Sequence, residues 1–506
     1  MKILFIDIDT LRPDHMSCYG YGRNTCPNID SIAADGVRFT DYYCSDAPCL
    51  PSRAALQTGR FGINNGVVGH GGTTSEMRWE GVDRGMADFN GRFNLSGVMR
   101  RCGMHTATVS SFPDRHSAWW FNAGFDECYN VGKRGLEPAD DVLPIALGWL
   151  DRNKDLQDWF LHVHLWDPHM PYRSPASFSE PFRDQPLPDP WMTDELIEYQ
   201  RSHIPGNHSA CESTGYTAEP SPNPRQTVEI RNTADFKHLI DEYDTGILYA
   251  DRAVGMILDK LRRQGIYDDV AIIVTSDHGE DLGERGGYSE HGEADGIVTH
   301  IPMILKWPGA PKGAVSHGFH YHVDLLPTLI DLLGGVPEFQ WNRVVGRPGI
   351  PQYDGESYAD LVRTGADGGR EFLVVSQCAH VLQRGVRFGD WMYIRTYHDG
   401  YHLCEDDELF NLKDDPHEIH NVAEQHPEVC WHGAWYLEHW VAENMKKDIH
   451  SYQGDVDPLW RTYAEGGPFH CRGYLGNYVQ RLRDTGRGDL ADALIARHPD
   501  ELKDSY

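Results

Sequence analysis

The chain has 506 residues, 40% of them hydrophobic and 24% charged, which is ordinary for a globular protein and leaves room for two or three units of about 150 residues, or for one large α/β domain with an appendage. A formal charge of −30, from 46 Lys plus Arg against 76 Asp plus Glu, speaks against a nucleic acid or an anionic membrane as partner, and no apolar run approaches the roughly 18 residues of a membrane span. The 11 cysteines include no C-x-x-C pair and are odd in number, which speaks against a disulfide framework.

The opening MKILFIDIDTLRPDH has a single Lys, an apolar run interrupted by Asp7 and Asp9, and no small-residue cleavage site. It reads as a buried strand over 3–8 and not as a secretory signal, so a cytoplasmic location is expected. Asp9 falls at the carboxyl end of that strand, where open α/β sheets place their ligands. Further strands are expected at HTATVSSF (105–112), WFLHVHLW (159–166) and VAIIVTSD (270–277), each ending in polar or charged residues. Helical stretches lie between them. The clearest is DRAVGMILDKLRRQG (251–265), with Val254, Ile257, Leu258 and Leu261 at helical spacing and Gly265 as its stop. This alternation predicts an α/β fold with a large, mostly parallel sheet sandwiched by helices.

Residues 173–232 are rich in Pro, Ser and Asn with weak periodicity, and are expected to form an irregular insertion over the strand ends, inside a catalytic domain of 1–365. After it, FLVVS, VRFGDWMYIRTY and ELFNLKDDPHE have the look of antiparallel strands with turns, followed by helices, and suggest a smaller α+β subdomain over 366–506.

The stretch SDAPCLPSRAALQTGR (45–60) places Cys49 before a helix whose first turn carries Pro51, Ser52 and Arg53. A lone cysteine is ordinarily a small buried hydrophobe, but this one stands at a positive helix end beside a fixed cation. C-x-P-S-R followed by A-x-x-x-T-G-R resembles the signature of the type I sulfatases, in the alkaline phosphatase superfamily. The resemblance covers most of the chain. It implies an alkaline-phosphatase-like fold, and a Cys49 oxidised after translation to Cα-formylglycine by a formylglycine-generating enzyme. The chemical case for the aldehyde is that a thiolate attacking sulfur leaves a thiosulfate ester with no easy exit, whereas a hydrated aldehyde carries two hydroxyls on one carbon. One attacks sulfur; deprotonation of the other then expels sulfate.

The resemblance assigns further residues. D-T-L-R-P-D-H from Asp9 is similar to the first metal motif, with Thr10 where a second acid is common. Asp7 shares a face with Asp9 and reads either as a buried carboxylate bonded to loop amides or as a compensating ligand. TSDHGEDLGERG resembles the second metal motif and supplies Asp277 and His278. With Asp9 and the group derived from Cys49, these hard oxygens and one imidazole suit Ca2+, with Mg2+ or Mn2+ as alternatives. Arg53 is the cation beside the nucleophile. In HVHLWDPHMPY, His169 is the candidate acid for the leaving alcohol or base for hemiacetal collapse, while His162 and His164 read as structural.

His291 stands where many sulfatases carry a sulfate-binding lysine, which points to activity under mildly acidic conditions. Lys306 reads as a strand-end surface residue. The family's Gly-Lys-Trp-His run is absent, leaving His116, or Arg115, to reach the substrate from SSFPDRHSAWWFNAGFDE. Trp119, Trp120 and Trp166 read as core residues, with a sugar platform as the alternative. The implied activity is hydrolysis of a sulfate monoester on a saccharide or another small molecule. Phosphodiester or phosphonate ester hydrolysis, and a non-catalytic protein that binds sulfated glycans, are the alternatives. Specificity is expected to reside in the loops at 61–95 and 173–232.

Overall fold

The computed structural model describes residues 1–78, 90–205, 225, 227, 229–336, 353–447 and 457–501. Its strands are β1 (Lys2–Ile8), β2 (Val37–Tyr43), β3 (Asp46–Ala47), β4 (His105–Val109), β5 (Glu127–Tyr129), β6 (Trp159–Leu165), β7 (Val270–Thr275), β8 (Asp281–Leu282), β9 (Tyr288–Glu290), β10 (Met303–Lys306), β11 (Ala314–Tyr321), β12 (Phe372–Gln377), β13 (Leu382–Phe388), β14 (Trp391–His398) and β15 (Asp407–Asn411).

An eight-stranded sheet runs β11-β2-β10-β7-β1-β6-β4-β5. β7, β1, β6, β4 and β5 are parallel; β10 is antiparallel to both its neighbours, and β11 is parallel to β2. β1 sits centrally, with Ile8 opposite Leu165 and Asp7 opposite Thr275. Its side chains alternate between two cores. Leu4, Ile6 and Ile8 pack toward the helices Ala139–Arg152 and Thr233–Arg263, while Ile3 and Phe5 pack toward Cys49–Thr58 and Leu325–Leu332. The fold is therefore the expected sheet between two helical layers.

β2 and β11 were not expected, because polar residues interrupt them: Arg38, Thr40 and Asp41 in one, Ser316, His317 and His320 in the other. The helix read at 251–265 is the end of one running from Thr233 to Arg263. Its first half buries Asp241, Glu242 and Asp244, which breaks the apolar period. Arg23 pairs with Asp241 and Asp244 at 2.7 Å each, and Arg225 pairs with Glu242 at 2.8 Å, so the buried charges are matched. Gly265 follows with φ +71, the left-handed conformation of a helix stop.

The insertion over 173–232 is not irregular throughout. It contains the helix Asp194–His203, capped by Thr193 Oγ1 accepting from the Leu196 N–H; residues 206–224 lie outside the described set. Of the loop over 61–95, residues 79–89 also lie outside it. The ten described cysteines are free, and among the described residues no helix is long and apolar enough to cross a membrane.

A second sheet, β15-β14-β13-β12-β3, is covered by the helix Pro427–Met445 through Tyr436, Leu437 and Trp440. The segment VRFGDWMYIRTY is a hairpin, turning at Gly389 with φ +50. β3 joins this sheet in parallel with β12, Asp46 opposite Ser376 and Ala47 opposite Gln377. The strand that enters the Cys49 helix is thus fastened to the C-terminal part of the chain.

Candidate active site

Cys49 opens the helix Cys49–Thr58, every residue of which is buried. Ser52 Oγ donates to the Asp277 carbonyl at 2.6 Å, and His322 Nε2 donates to the Ser52 carbonyl at 3.0 Å, so the helix start is tied to the loop after β7. Arg53 lies one turn beyond Cys49, on the same face. Its Nε donates to Asp7 Oδ2 at 3.0 Å, its Nη2 lies 3.0 Å from Asp9 Oδ2, and its Nη1 pairs with Asp277 Oδ2. Three buried carboxyl groups share one guanidinium at this point.

Asp9 follows β1, and Asp277 and His278 follow β7, at the carboxyl edge of the parallel strands. One ligating atom from each of Asp9, Cys49, Asp277 and His278 lies within 4.8 Å of all the others, in a fully buried group. Cys49 Sγ is 3.1 Å from His278 Nε2, while His278 Nδ1 donates to the Gly279 carbonyl at 2.8 Å and so turns Nε2 inward. Asp9 Oδ1 is buried with no hydrogen-bond partner. Burial raises the Asp277 carboxyl, and Asp9 adds to the rise; burial opposes the ionised form of Asp9 too, but Arg53 and the nearby histidines hold it well below the usual range. An orphaned oxygen, two repelling carboxylates and an inward imidazole fit a divalent cation.

Thr10 adopts φ +57, costly for a β-branched residue. It is held there by its N–H donating to Asp277 Oδ1 at 3.3 Å and by Tyr243 Oη donating to its carbonyl at 2.6 Å. Asp7 does not bond loop amides: it accepts from Arg53 and lies 3.5 Å from His162 Nε2. His164 Nε2 accepts from Arg53 Nη2 at 2.7 Å, so this expected structural residue orients the guanidinium.

His169 donates through Nδ1 to the Met170 carbonyl, leaving a buried Nε2 with no hydrogen-bond partner 4.0 Å from Asp9 Oδ1. The His291 ring centroid lies 4.3 Å from that of His278 and 5.5 Å from that of His169. His116, on the helix Phe112–His116, also has a partnerless Nε2, and its ring lies 5.0 Å from His70. Burial pushes the His116, His169 and His291 imidazoles well below their ordinary value, and neighbouring cations and histidines push in the same direction. Asp9, Cys49, Arg53, His169, Asp277, His278 and His291 lie around one point, and His116 is linked to them through His70. Lys306 does not join them: it is buried, not superficial, and donates to the carbonyls of Tyr267 and Val270. Trp120 and Trp166 are core residues as expected, whereas Trp119 is 56% exposed.

Sequence reasoning missed His70, His380 and His470. The His70 Nε2 accepts from the Leu50 N–H at 3.4 Å and its Nδ1 meets His470 Nε2 at 2.8 Å, while the rings of His380 and His470 stack at 4.2 Å. The one available signal was the 27 histidines, an unusual number that no spacing organises.

The Sulfatase family model matches residues 2–336. An N-acetylglucosamine-6-O-sulfatase of Bacteroides thetaiotaomicron is 22% identical over 483 residues, spanning 83% of this chain and 82% of the relative. A solved structure in complex with its substrate D-glucosamine-2-N,6-O-disulfate shares the fold at a TM-score of 0.65 and 20% identity, covering 89% of this chain and 99% of that one. The phosphonate monoester hydrolase of Agrobacterium radiobacter shares it at a TM-score of 0.67 and 21% identity, covering 88% and 96%. With two strand ends and a helix start meeting at Cys49, and the family match running through all of them, the chain belongs to the sulfatase family, the sulfuric ester hydrolases.

Proposed function

We propose that the protein hydrolyses a sulfate monoester on a saccharide, with a formylglycine derived from Cys49 as nucleophile and a Ca2+ held by Asp9, Asp277, His278 and the residue at 49. The observation that carries this reading is the single buried cluster formed by those four side chains. When present, the hydrated aldehyde supplies two hydroxyls on one carbon and the cation neutralises sulfate oxygens and favours the ionised hydroxyl.

The other residues prepare that chemistry. Arg53 stands beside residue 49 as a fixed positive charge and locks the carboxylates of Asp9 and Asp277 in place. His169, fixed in tautomer by the Met170 carbonyl, presents the lone pair of its inward Nε2 as the base for hemiacetal collapse. His116 and His291 line the side where sulfate oxygens would lie. Cys49 is 1% exposed, so the formylglycine-generating enzyme would meet this segment before it folds. The glucosamine sulfatase relative and the disulfated glucosamine complex support a sulfated saccharide as substrate.

One observation favours phosphodiester or phosphonate ester hydrolysis as a second reading: imidazoles, and not a lysine, stand next to His278 and His169. The test is a panel of sulfated sugars and aryl sulfates with phosphate diesters alongside, assayed on protein whose Cys49 conversion has been quantified by intact mass, a loss of about 18 Da. Sulfate release in proportion to conversion supports the sulfatase reading; preferential phosphate release moves the protein to the second. Unconverted Cys49 with glycan binding and no turnover would make it a silent sulfated-glycan binder.

A further inference from the structure

Beyond the first cluster, His291 faces a second set of donors. Its Nε2 lies 3.4 Å from Glu290 Oε1, and His380 Nε2 lies 3.4 Å from the same oxygen. One ligating atom each from Glu290, His291 and His380 falls within 4.8 Å of the other two, and all three residues are buried. The two 3.4 Å separations match the donor spacing around a tetrahedral ion with bonds of about 2.0–2.1 Å.

The surroundings match such a site. His380 Nε2 is 4% exposed as a residue and has no hydrogen-bond partner. On the far side of the His291 ring, Nδ1 faces Glu280 Oε2 at 3.6 Å, and neither atom has a hydrogen-bond partner. That is the carboxylate–histidine–metal arrangement, in which an outer carboxylate fixes the tautomer of a ligating imidazole. Gln377 Nε2 donates to the His291 carbonyl at 2.7 Å and holds the backbone that presents it. A cavity of about 330 Å³ opens onto Glu290 and His380, and Asp281, Glu293 and Glu405 also line it, giving a cation an acidic entry path.

We propose that Glu290, His291 and His380 bind a second divalent ion, zinc by its donor set of two imidazoles and a carboxylate. His291 also belongs to a buried group with Cys49 and His278, so the two donor sets share this residue. Resting on the assignment of Cys49 as the reaction centre, the ion supplies a fixed positive charge on the side of the site where His291 stands.

The test is equilibrium dialysis of the full chain against Zn2+ in the presence of Ca2+, with elemental analysis of wild type, Asp277→Ala, Glu290→Gln and His380→Ala. One zinc equivalent is expected in wild type and in Asp277→Ala, with affinity weakened at least about a hundredfold in Glu290→Gln and His380→Ala. Wild-type crystals grown with zinc and measured at its absorption edge should show a peak bonded to Glu290, His291 and His380, which removes dependence on the folding of any variant. No zinc in wild type, no such peak, or zinc lost from Asp277→Ala but kept by Glu290→Gln overturns the proposal. Zinc bound as expected without sulfate release would leave the cation site standing and remove only the sulfatase reading.

Discussion

His70 Nδ1 and His470 Nε2 meet at 2.8 Å across 400 residues of sequence, and the same His70 ring accepts the Leu50 N–H at its other nitrogen. Both contacts are satisfied together when the His70 proton is on Nδ1. The C-terminal segment therefore sets the tautomer of a ring that touches the residue after Cys49. A neutral hydrogen bond is worth about 1 kcal/mol, so His470→Ala is expected to lower kcat/KM by up to about fivefold and to lower the unfolding temperature by a few degrees. In a double-mutant cycle with His70→Ala the two losses should not add; strictly additive losses would show that the contact has no part in positioning.

Cys49→Ala removes the nucleophile from a site whose other groups stay in place, so turnover should fall by at least about 10⁴-fold while the folded state persists. Cys49→Ser tests the same point differently. It supplies one hydroxyl and not the two that sulfate release needs, so a single-turnover burst without steady turnover is expected. Steady sulfate release by either variant would refute the assigned role.

Asp277→Ala deletes one carboxylate of the first cluster and one partner of Arg53. Calcium content by elemental analysis should drop by one equivalent and activity should vanish with it; retained calcium would remove Asp277 from the ligand set. Arg53→Lys keeps the charge but loses the planar fork that reaches Asp7, Asp9 and Asp277 together. Leaving buried carboxylates without partners costs about 3–5 kcal/mol, and thermal unfolding of this variant should register it.

The legible part of this molecule was the part where local pattern and chemistry coincide. β1, β6 and β7 are apolar runs ending in Asp9, Trp166 and Asp277, so strand, layer and site could be read together. The first half of the helix from Thr233 to Arg263 was hidden because its buried face carries Asp241, Glu242 and Asp244, whose partners Arg23 and Arg225 are distant in sequence or lie in the insertion. His70, His380 and His470 were hidden for a related reason. Their meeting depends on β3 joining β12, a pairing of two residues per strand that no periodicity announces.

The C-terminal end of the chain carries a pH-dependent anchor. His498 Nε2 lies 2.8 Å from Asp399 Oδ1 and its Nδ1 lies 3.0 Å from Glu501 Oε1, with His398, Arg497 and Tyr401 packed around them. Burial alone would lower the His498 value, but hydrogen bonds and charge from Asp399 and Glu501 raise it to about 9. A histidine raised in the folded state contributes stability that is complete below its ordinary value and lost as pH rises through the folded one. Thermal unfolding should therefore shift down by a few degrees between about pH 6.5 and about pH 9, and His498→Gln should flatten that slope. Glu501 is held well below its usual range by the same contacts, so lowering the pH from neutral toward the ordinary glutamate range should not release the segment. Hydrogen exchange across the helix Gly488–Arg497 locates the effect: faster exchange on the alkaline side in wild type, and pH-independent protection ratios in His498→Gln, are the expected outcome. A wild-type unfolding temperature that is flat or rising over that interval would mean that the His498 contacts do not hold the end of the chain.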